Sequence, residues 1–199
     1  GSTRERTHDL VVGLHRTTAM NPMAHLTCAA HTRLELAEIL VRYGKAGIEN
    51  LMALAGDPPR DVVGPATVSE LHTAPELVEL ARAIAGFSIG VAAHPEGHPR
   101  SPDLATDRRF LAQKLARADF AVTQFFFEAD HYFRMLDELA ALGCTKPILP
   151  GILPVTNLAQ VKRMAELSGA AFPAWLAGPG QPVGQPVSYT PLRAHETPE

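Results

Sequence analysis

The sequence predicts an α/β fold of repeated strand-helix units, and three observations lead there. Five short apolar runs open at Met23, Asn50, Phe87, Phe120 and Pro147, about thirty residues apart, the period of such units. Each run breaks into a polar or Gly/Pro-rich motif: His25-Leu26-Thr27-Cys28, Ala55-Gly56-Asp57-Pro58-Pro59, His94-Pro95-Glu96-Gly97-His98, Thr123-Gln124-Phe125-Phe126-Phe127 and Pro150-Gly151-Ile152-Leu153-Pro154. Between the runs, apolar residues return at helical spacing and the segments carry helix start and stop residues. Strands alternating with helices run parallel, with right-handed crossovers and a buried sheet. If each motif ends a strand, all the polar groups gather at one end of one sheet, where barrels and open α/β sheets place their active sites.

The first helix is expected from Ser2 or Thr3 to His15, with Leu10, Val11 and Leu14 facing inward. Thr32 and Glu35 stand at capping-box spacing and start a second helix with a stripe of Leu36, Ile39 and Leu40, which Gly44 is expected to stop. Thr73, followed by Pro75 and Glu76, starts a third through Leu77, Leu80, Ala81 and Ile84, closed by Gly86. Thr106 to Ala116, Asp130 to Leu142 and Asn157 to Leu167 read likewise, with Gly143 and Gly169 ending the last two. The order is a helix followed by five strand-helix units. A (β/α)8 barrel and a doubly wound sheet both satisfy it. The barrel is favoured, because a functional-looking motif follows every strand and no G-x-G-x-x-G opens a helix after the first one. A complete barrel needs eight units and only five are visible in residues 1–177, so these form either a partial barrel or an open sheet. The stretch from Gly178 to Gln185 alternates Gly, Pro and Gln with little to bury, and Ser188 to Glu199 shows neither period. Residues 178–199 are expected to be a disordered or non-native tail.

A chain of 199 residues with 46% hydrophobic residues is sufficient for one sizeable core. The formal net charge of -3, with signs interspersed, gives no basic stripe for nucleic acid, so small molecules are the expected partners. No segment has the length and apolarity of a membrane span or the pattern of a leader. Cys28 and Cys144 form no CxxC pair, which fits a reducing cytoplasm, and Cys28 reads as a small core residue without a cation to activate it.

The candidate site residues have competing structural and functional readings. Asp57 sits between Gly56 and two prolines just past the second strand, so its carboxylate is rigid. It either satisfies the amides of a tight turn or stands as a preorganised charge for a cationic intermediate. Gln124 lies in an apolar run and must find partners, either on a neighbouring strand or on a polar heterocycle. His94, Glu96 and His98 have the four-residue histidine spacing of some metal sites, but Pro95 and Pro99 preclude the helix that would put both rings on one face. Contacts to phosphate or ribose are the better reading of that loop. His25 is either a satisfied core histidine or a residue of the sheet's mouth. Phe125 to Phe127 read as core, with alternate rings on opposite sides. Asp107 and Lys114, seven apart on one helix, read by themselves as a solvated face.

Taken together, HLTC, ALAGDPP, FSIGVAAHPEGHP, ADFAVTQFFFE, KPILPGILPVTN and FPAWLA resemble the methylenetetrahydrofolate reductase family, in order and spacing, over roughly Gly1 to Leu176. The resemblance implies a (β/α)8 barrel. It implies that NADH or NADPH reduces bound FAD, and that the flavin passes hydride to 5,10-methylenetetrahydrofolate to give 5-methyltetrahydrofolate, the methyl donor for methionine. Asp57 then matches the carboxylate beside flavin and pterin, and Gln124 the amide that orients the folate. His25, Leu54, Gly56, His98, Asp107 and Lys114 match flavin-site positions, with Ala74 in the loop before the third helix.

The chain also departs from the family's pattern. Ala55 stands where members usually carry a basic residue and His94 where they carry a tyrosine, both on FAD, and Thr73 falls near another such tyrosine. Leu158 replaces an aromatic that commonly packs on the substrate. These changes leave two routes open, through FAD or directly from the nicotinamide to the folate. The match begins after the family's second strand, so the glutamate that protonates the folate nitrogen is not among these residues; the 199-residue chain alone is expected to be inactive. A non-catalytic folate- or flavin-binding barrel is the alternative. An unrelated barrel lyase or hydrolase would need a Schiff-base lysine or a cluster of metal ligands at the strand ends, and the sequence supplies neither.

Overall fold

The computed structural model describes residues 3–56 and 69–177, and these divide between Ile152 and Leu153 into two compact units, each described by itself. The first unit holds α1 (Thr3–Thr17), β1 (Met23–Thr27), α2 (Arg33–Lys45), β2 (Asn50–Leu54), α3 (Ala74–Ile84), β3 (Ser88–Ala93), α4 (Leu104–Leu115), β4 (Phe120–Thr123), α5 (Ala129–Ala141) and β5 (Ile148–Leu149). The strands pair in parallel in the order β1-β2-β3-β4-β5. A doubly wound sheet reverses its strand order at a switch point. This sheet does not, so the five units follow one another as consecutive staves of a barrel do.

Strand alternation explains what covers each face. Leu26, Ala53, Val91 and Ala121 are in register across four strands and are all buried. They form the face against which the helices pack, with α3 on β2 and α4 on β3. On the opposite face the register runs His25, Met52, Gly90, Phe120; there His25 is exposed and the Phe120 ring lies over Gly90, where an added Cβ would come within 2.4 Å of it. Gly90 is thus required by the close approach of a neighbouring ring rather than by a turn.

The caps hold where the sequence placed them, with shifts that have local causes. Thr32 and Glu35 form the reciprocal capping box of α2. Gly44 does not stop that helix: it lies inside it, facing Ala85, and the chain turns at Gly47 with φ +82°. At α3 the Glu76 carboxylate accepts from the Thr73 amide, the Thr73 hydroxyl and the His72 amide. Helix α4 starts earlier than expected, because Asp103 accepts from Thr106 N at 2.7 Å and caps it. On α1 the inward residues are Val11 and Val12, not Leu10, which is exposed. Phe125 to Phe127 are half-buried rather than core; Phe125 and Phe127 meet edge to face while Phe126 stacks on Tyr132.

The second unit holds α6 (Leu158–Ser168) and α7 (Ala174–Ala177). Asn157 caps α6 by accepting from Gln160 N at 2.9 Å, and Gly169 ends it in the left-handed conformation at φ 76°. The tail expected over 178–199 lies outside the described residues. Among the described residues no helix is long and apolar enough to cross a membrane.

Candidate active site

The carboxyl ends of the strands form a continuous rim tied by specific bonds. Beyond β1, the amides of Cys28 and Ala29 donate to the carbonyls of Leu54 and Ala55 at 3.0 Å, so the first two motifs lie side by side. Gly56 closes that corner with φ +77°. A Cβ there would sit 2.8 Å from both Thr27 Cβ and Ala29 Cβ, so the position needs glycine on two counts. Farther round, Gln124 N donates to Ala93 O at 2.7 Å and Gly151 N to Thr123 Oγ1 at 2.8 Å. All five motifs therefore open at the same end of the sheet. Asp57 itself lies outside the described residues; Gly56, its neighbour, and Gln124 share that end.

A cavity of about 540 Å³ opens beside the end of β3, between the start of α3 and the length of α4. That volume is within the usual range for small-molecule sites. His94, His98, Asp107 and Lys114 all line it, as does Thr73. Four expected cofactor positions, twenty residues apart in sequence from first to last, thus share one hollow. The reading of Asp107 and Lys114 as a solvated helix face is overturned. Asp107 is 6% exposed and Lys114 is half-buried with its Nζ donating to Ala92 O, because α4 directs this face at the β3 rim rather than at water.

Burial governs the electrostatics of the hollow. It holds the Lys114 ammonium down to about 8 against the attraction of Asp107, so a cation here lacks most of its hydration. His94 is pushed down to about 4, first by burial and then by the nearby His98 and Lys114 charges, so its ring is neutral at physiological pH. The His94 and His98 rings meet edge to face with centroids 4.6 Å apart. The Asp107 carboxylate accepts from His98 N and Ser101 Oγ, each at 3.0 Å, and from Arg108 at 2.9 Å. Among the described residues no group of three or more His, Cys, Asp or Glu side chains is placed to hold a metal.

The other candidates are more dispersed. His25 stands on the uncovered face of β1, and Leu54, Ala55 and Gly56 are half-buried at the end of β2. Ala74 opens α3 next to Thr73, whose carbonyl accepts from the Cys28 thiol at 3.3 Å. That thiol is pushed up to about 11, chiefly by burial, and belongs to the core. Gln124 is half-buried, and its side-chain oxygen accepts from Phe125 N at 3.3 Å rather than from a neighbouring strand. Leu158 starts α6 in the second unit and is 38% exposed. Sequence reasoning missed Arg108, buried at 2% exposure, and Arg100 and Arg117, which also line the hollow. Arg108 had a legible signal: it interrupts the helical stripe of Leu104, Leu111 and Leu115, where an arginine must be buried and paired.

Comparison with known proteins gives this arrangement its relatives. The family model described as methylenetetrahydrofolate reductase matches residues 1–185. The 5,10-methylenetetrahydrofolate reductases of Salmonella typhimurium and Escherichia coli are each 38% identical over 175 residues, covering 87% of this chain and 57% of their own length. Methylenetetrahydrofolate reductase 2 of Saccharomyces cerevisiae is 33% identical over 171 residues, 83% of this chain and 28% of its own. The chain thus spans little more than half of its bacterial relatives. A solved structure described as an uncharacterized protein from Clostridium thermocellum that binds two copies of 5-methyl-5,6,7,8-tetrahydrofolic acid superposes with a TM-score of 0.55 at 11% identity. It covers 78% of this chain and 51% of its own, and carries the likeness of fold.

Proposed function

We propose, from the premise that this chain belongs to the methylenetetrahydrofolate reductase family, that the protein reduces 5,10-methylenetetrahydrofolate to 5-methyltetrahydrofolate with hydride from NADH or NADPH. One observation carries the reading at the level of the site: the five motifs share a single rim, and His94, His98, Asp107 and Lys114 line one hollow beside it. The residues there fit a phosphate-bearing cofactor. Lys114 is a half-buried cation whose hydrogen bond goes to a backbone carbonyl, and a bound anion would offset its desolvation.

The cofactor of this reading is FAD, which when bound supplies a ring able to accept hydride from the nicotinamide and deliver it to the folate. Lys114 would hold its phosphates, and Arg100 lines the same wall, while Arg117 is paired with Glu79 at 2.7 Å. His98, held by its own amide on Asp107, accepts at Nδ1 from Arg100 N at 3.1 Å, so a neutral ring carries its proton on Nε2 and acts as a donor. A neutral His94 replaces the family's tyrosine as an uncharged wall. His25, Leu54, Ala55, Gly56 and Ala74 complete the cofactor side of the mouth. Asp57 stabilises the cationic iminium of the folate and Gln124 orients the pterin by its amide. The free thiols of Cys28 and Cys144 suit the reducing cytoplasm that this reaction implies.

The test is direct. Purified full-length protein should be yellow, its bound FAD should be bleached by NADH or NADPH, and methylenetetrahydrofolate should restore the colour. A colourless protein that still oxidises the nicotinamide in the presence of the folate would replace FAD by direct transfer. Failure to oxidise it at all would end the reading.

A further inference from the structure

We propose that Arg108 is the positioning residue of the β3 rim: its guanidinium clamps the His94-Pro95 turn and the Asp107 carboxylate in one piece, and thereby sets how His94 and His98 face the hollow. The nitrogens divide the work. Nη1 donates to His94 O at 3.0 Å and to Asp107 Oδ2 at 2.9 Å, Nη2 to Pro95 O at 2.6 Å, and Nε to Glu138 Oε2 at 2.7 Å. His94 O also accepts from Gly97 N at 3.0 Å, with Gly97 at φ +93°, so the clamp seizes the turn at its closing hydrogen bond. Asp107 passes the constraint on, because its other oxygen accepts from His98 N and Ser101 Oγ. The loop from His94 to Ser101 is therefore pinned at both ends by one buried ion pair.

Packing alone does not call for this residue. Arg108 occupies the stripe of Leu104, Leu111 and Leu115, and a leucine there would fill the space without the several kcal/mol it costs to dehydrate a guanidinium. A lysine could not substitute either, since a single ammonium cannot span two adjacent carbonyls and two carboxylates as the planar fork does. The bond to Glu138 ties the clamp to α5 but touches neither histidine. The ligand side of this inference rests on the FAD reading; the clamp itself does not.

The experiment compares Arg108→Lys, Arg108→Leu and Glu138→Gln in the full-length protein. The first readout is the titration of the His94 ring by proton-nitrogen correlation without ligand, the second is amide exchange at His98, and the third is FAD affinity by flavin fluorescence. Arg108→Lys keeps a positive charge facing His94 and leaves Lys114 and Asp107 in place, so loss of the clamp is the change that can move the ring. Its midpoint should rise from about 4 by at least a unit as water enters, with His98 amide exchange at least tenfold faster and FAD bound at least tenfold more weakly. Glu138→Gln should leave all three readouts near those of the parent. Should Arg108→Lys not fold, Arg108→Leu completes the apolar stripe and carries the test through His98 exchange alone. Unchanged His94 titration and His98 exchange in a folded Arg108 variant would overturn the proposal, as would Glu138→Gln matching it. A parent that binds no FAD but shows the exchange effect would sink the cofactor reading and leave the clamp standing.

Discussion

Replacing Lys114 by methionine should make the ligand-free protein more stable, and the structure gives the size of the effect. The ammonium has fallen from 10.5 to about 8 because burial strips its hydration more than Asp107 compensates. Each unit of such a shift is about 1.4 kcal/mol, so carrying the charged lysine costs the fold about 3 kcal/mol at pH 7. Against this, methionine forfeits the hydrogen bond to Ala92 O, about 1 kcal/mol. The net gain is about 2 kcal/mol, or about 4 to 8 °C in Tm for a chain of this size. The sign with pH is fixed by linkage. A folded-state value below the unfolded one means that the unfolded chain holds the proton more tightly between about pH 8 and 10.5, so parental stability rises with pH across that window. The advantage of Lys114→Met should therefore be full at pH 7 and nearly gone at pH 10. Urea unfolding of both proteins at the two pH values measures it, and flavin fluorescence should show weaker FAD binding by the variant. A variant less stable than the parent at pH 7, or a gap that does not close at pH 10, would refute the argument that the lysine is dehydrated.

The rim and the sheet carry three further predictions. Gly56→Ala combines a left-handed φ of +77° with a Cβ 2.8 Å from Thr27 and Ala29, so unfolding free energy should drop by about 2 kcal/mol or more; a loss below about 0.5 kcal/mol in urea would show that the corner is looser than the structure has it. Gln124→Leu should leave stability nearly unchanged, since the amide's bond to its neighbour Phe125 N is long at 3.3 Å, but raise KM for the folate by about tenfold; an unaltered KM removes Gln124 from the site. At Asp119, burial pushes the carboxyl up but bonds from Ile89 N at 2.7 Å and Arg82 at 2.6 Å outweigh it and hold it below its usual value. Its stabilising effect is present above about pH 4 and lost as pH falls through the lowered folded-state value, so Asp119→Asn should be less stable at pH 6 and converge on the parent in acid.

What the sequence made legible was what local chemistry decides. Strands begin at Met23, Asn50 and Phe120 as the apolar runs do, and one residue later than the runs at Phe87 and Pro147, where a proline or a helix exit precedes the first ladder bond. Thr32, Thr73 and Asn157 sit at helix starts because each residue and its partner three positions on complete a cap without help from the rest of the chain. Gly44 misled because it lies inside α2 against Ala85, and the left-handed turn that a helix-ending glycine supplies falls three residues on, at Gly47 with φ +82°. Leu10 misled for the opposite reason, since α1 rotates to bury Val11 and Val12 and leaves a leucine in water.

Asp107 and Lys114 show why a functional site is the hardest part to read. On an isolated helix their spacing is that of a solvated face, and only the direction in which α4 meets the β3 rim turns that face inward. Once there, the two charges and Arg108 are expensive to keep, and apolar residues would serve the core better. The expense is concentrated at one end of one strand, beside a hollow of ligand size, while the helix-covered face of the sheet, through Leu26, Ala53, Val91 and Ala121, contains no charge at all. A fold selected for stability alone would have spread its costs or removed them. Charges retained in one buried place, each held by a bond to the strand end or turn it serves, are the physical signature of a rim shaped around something it binds.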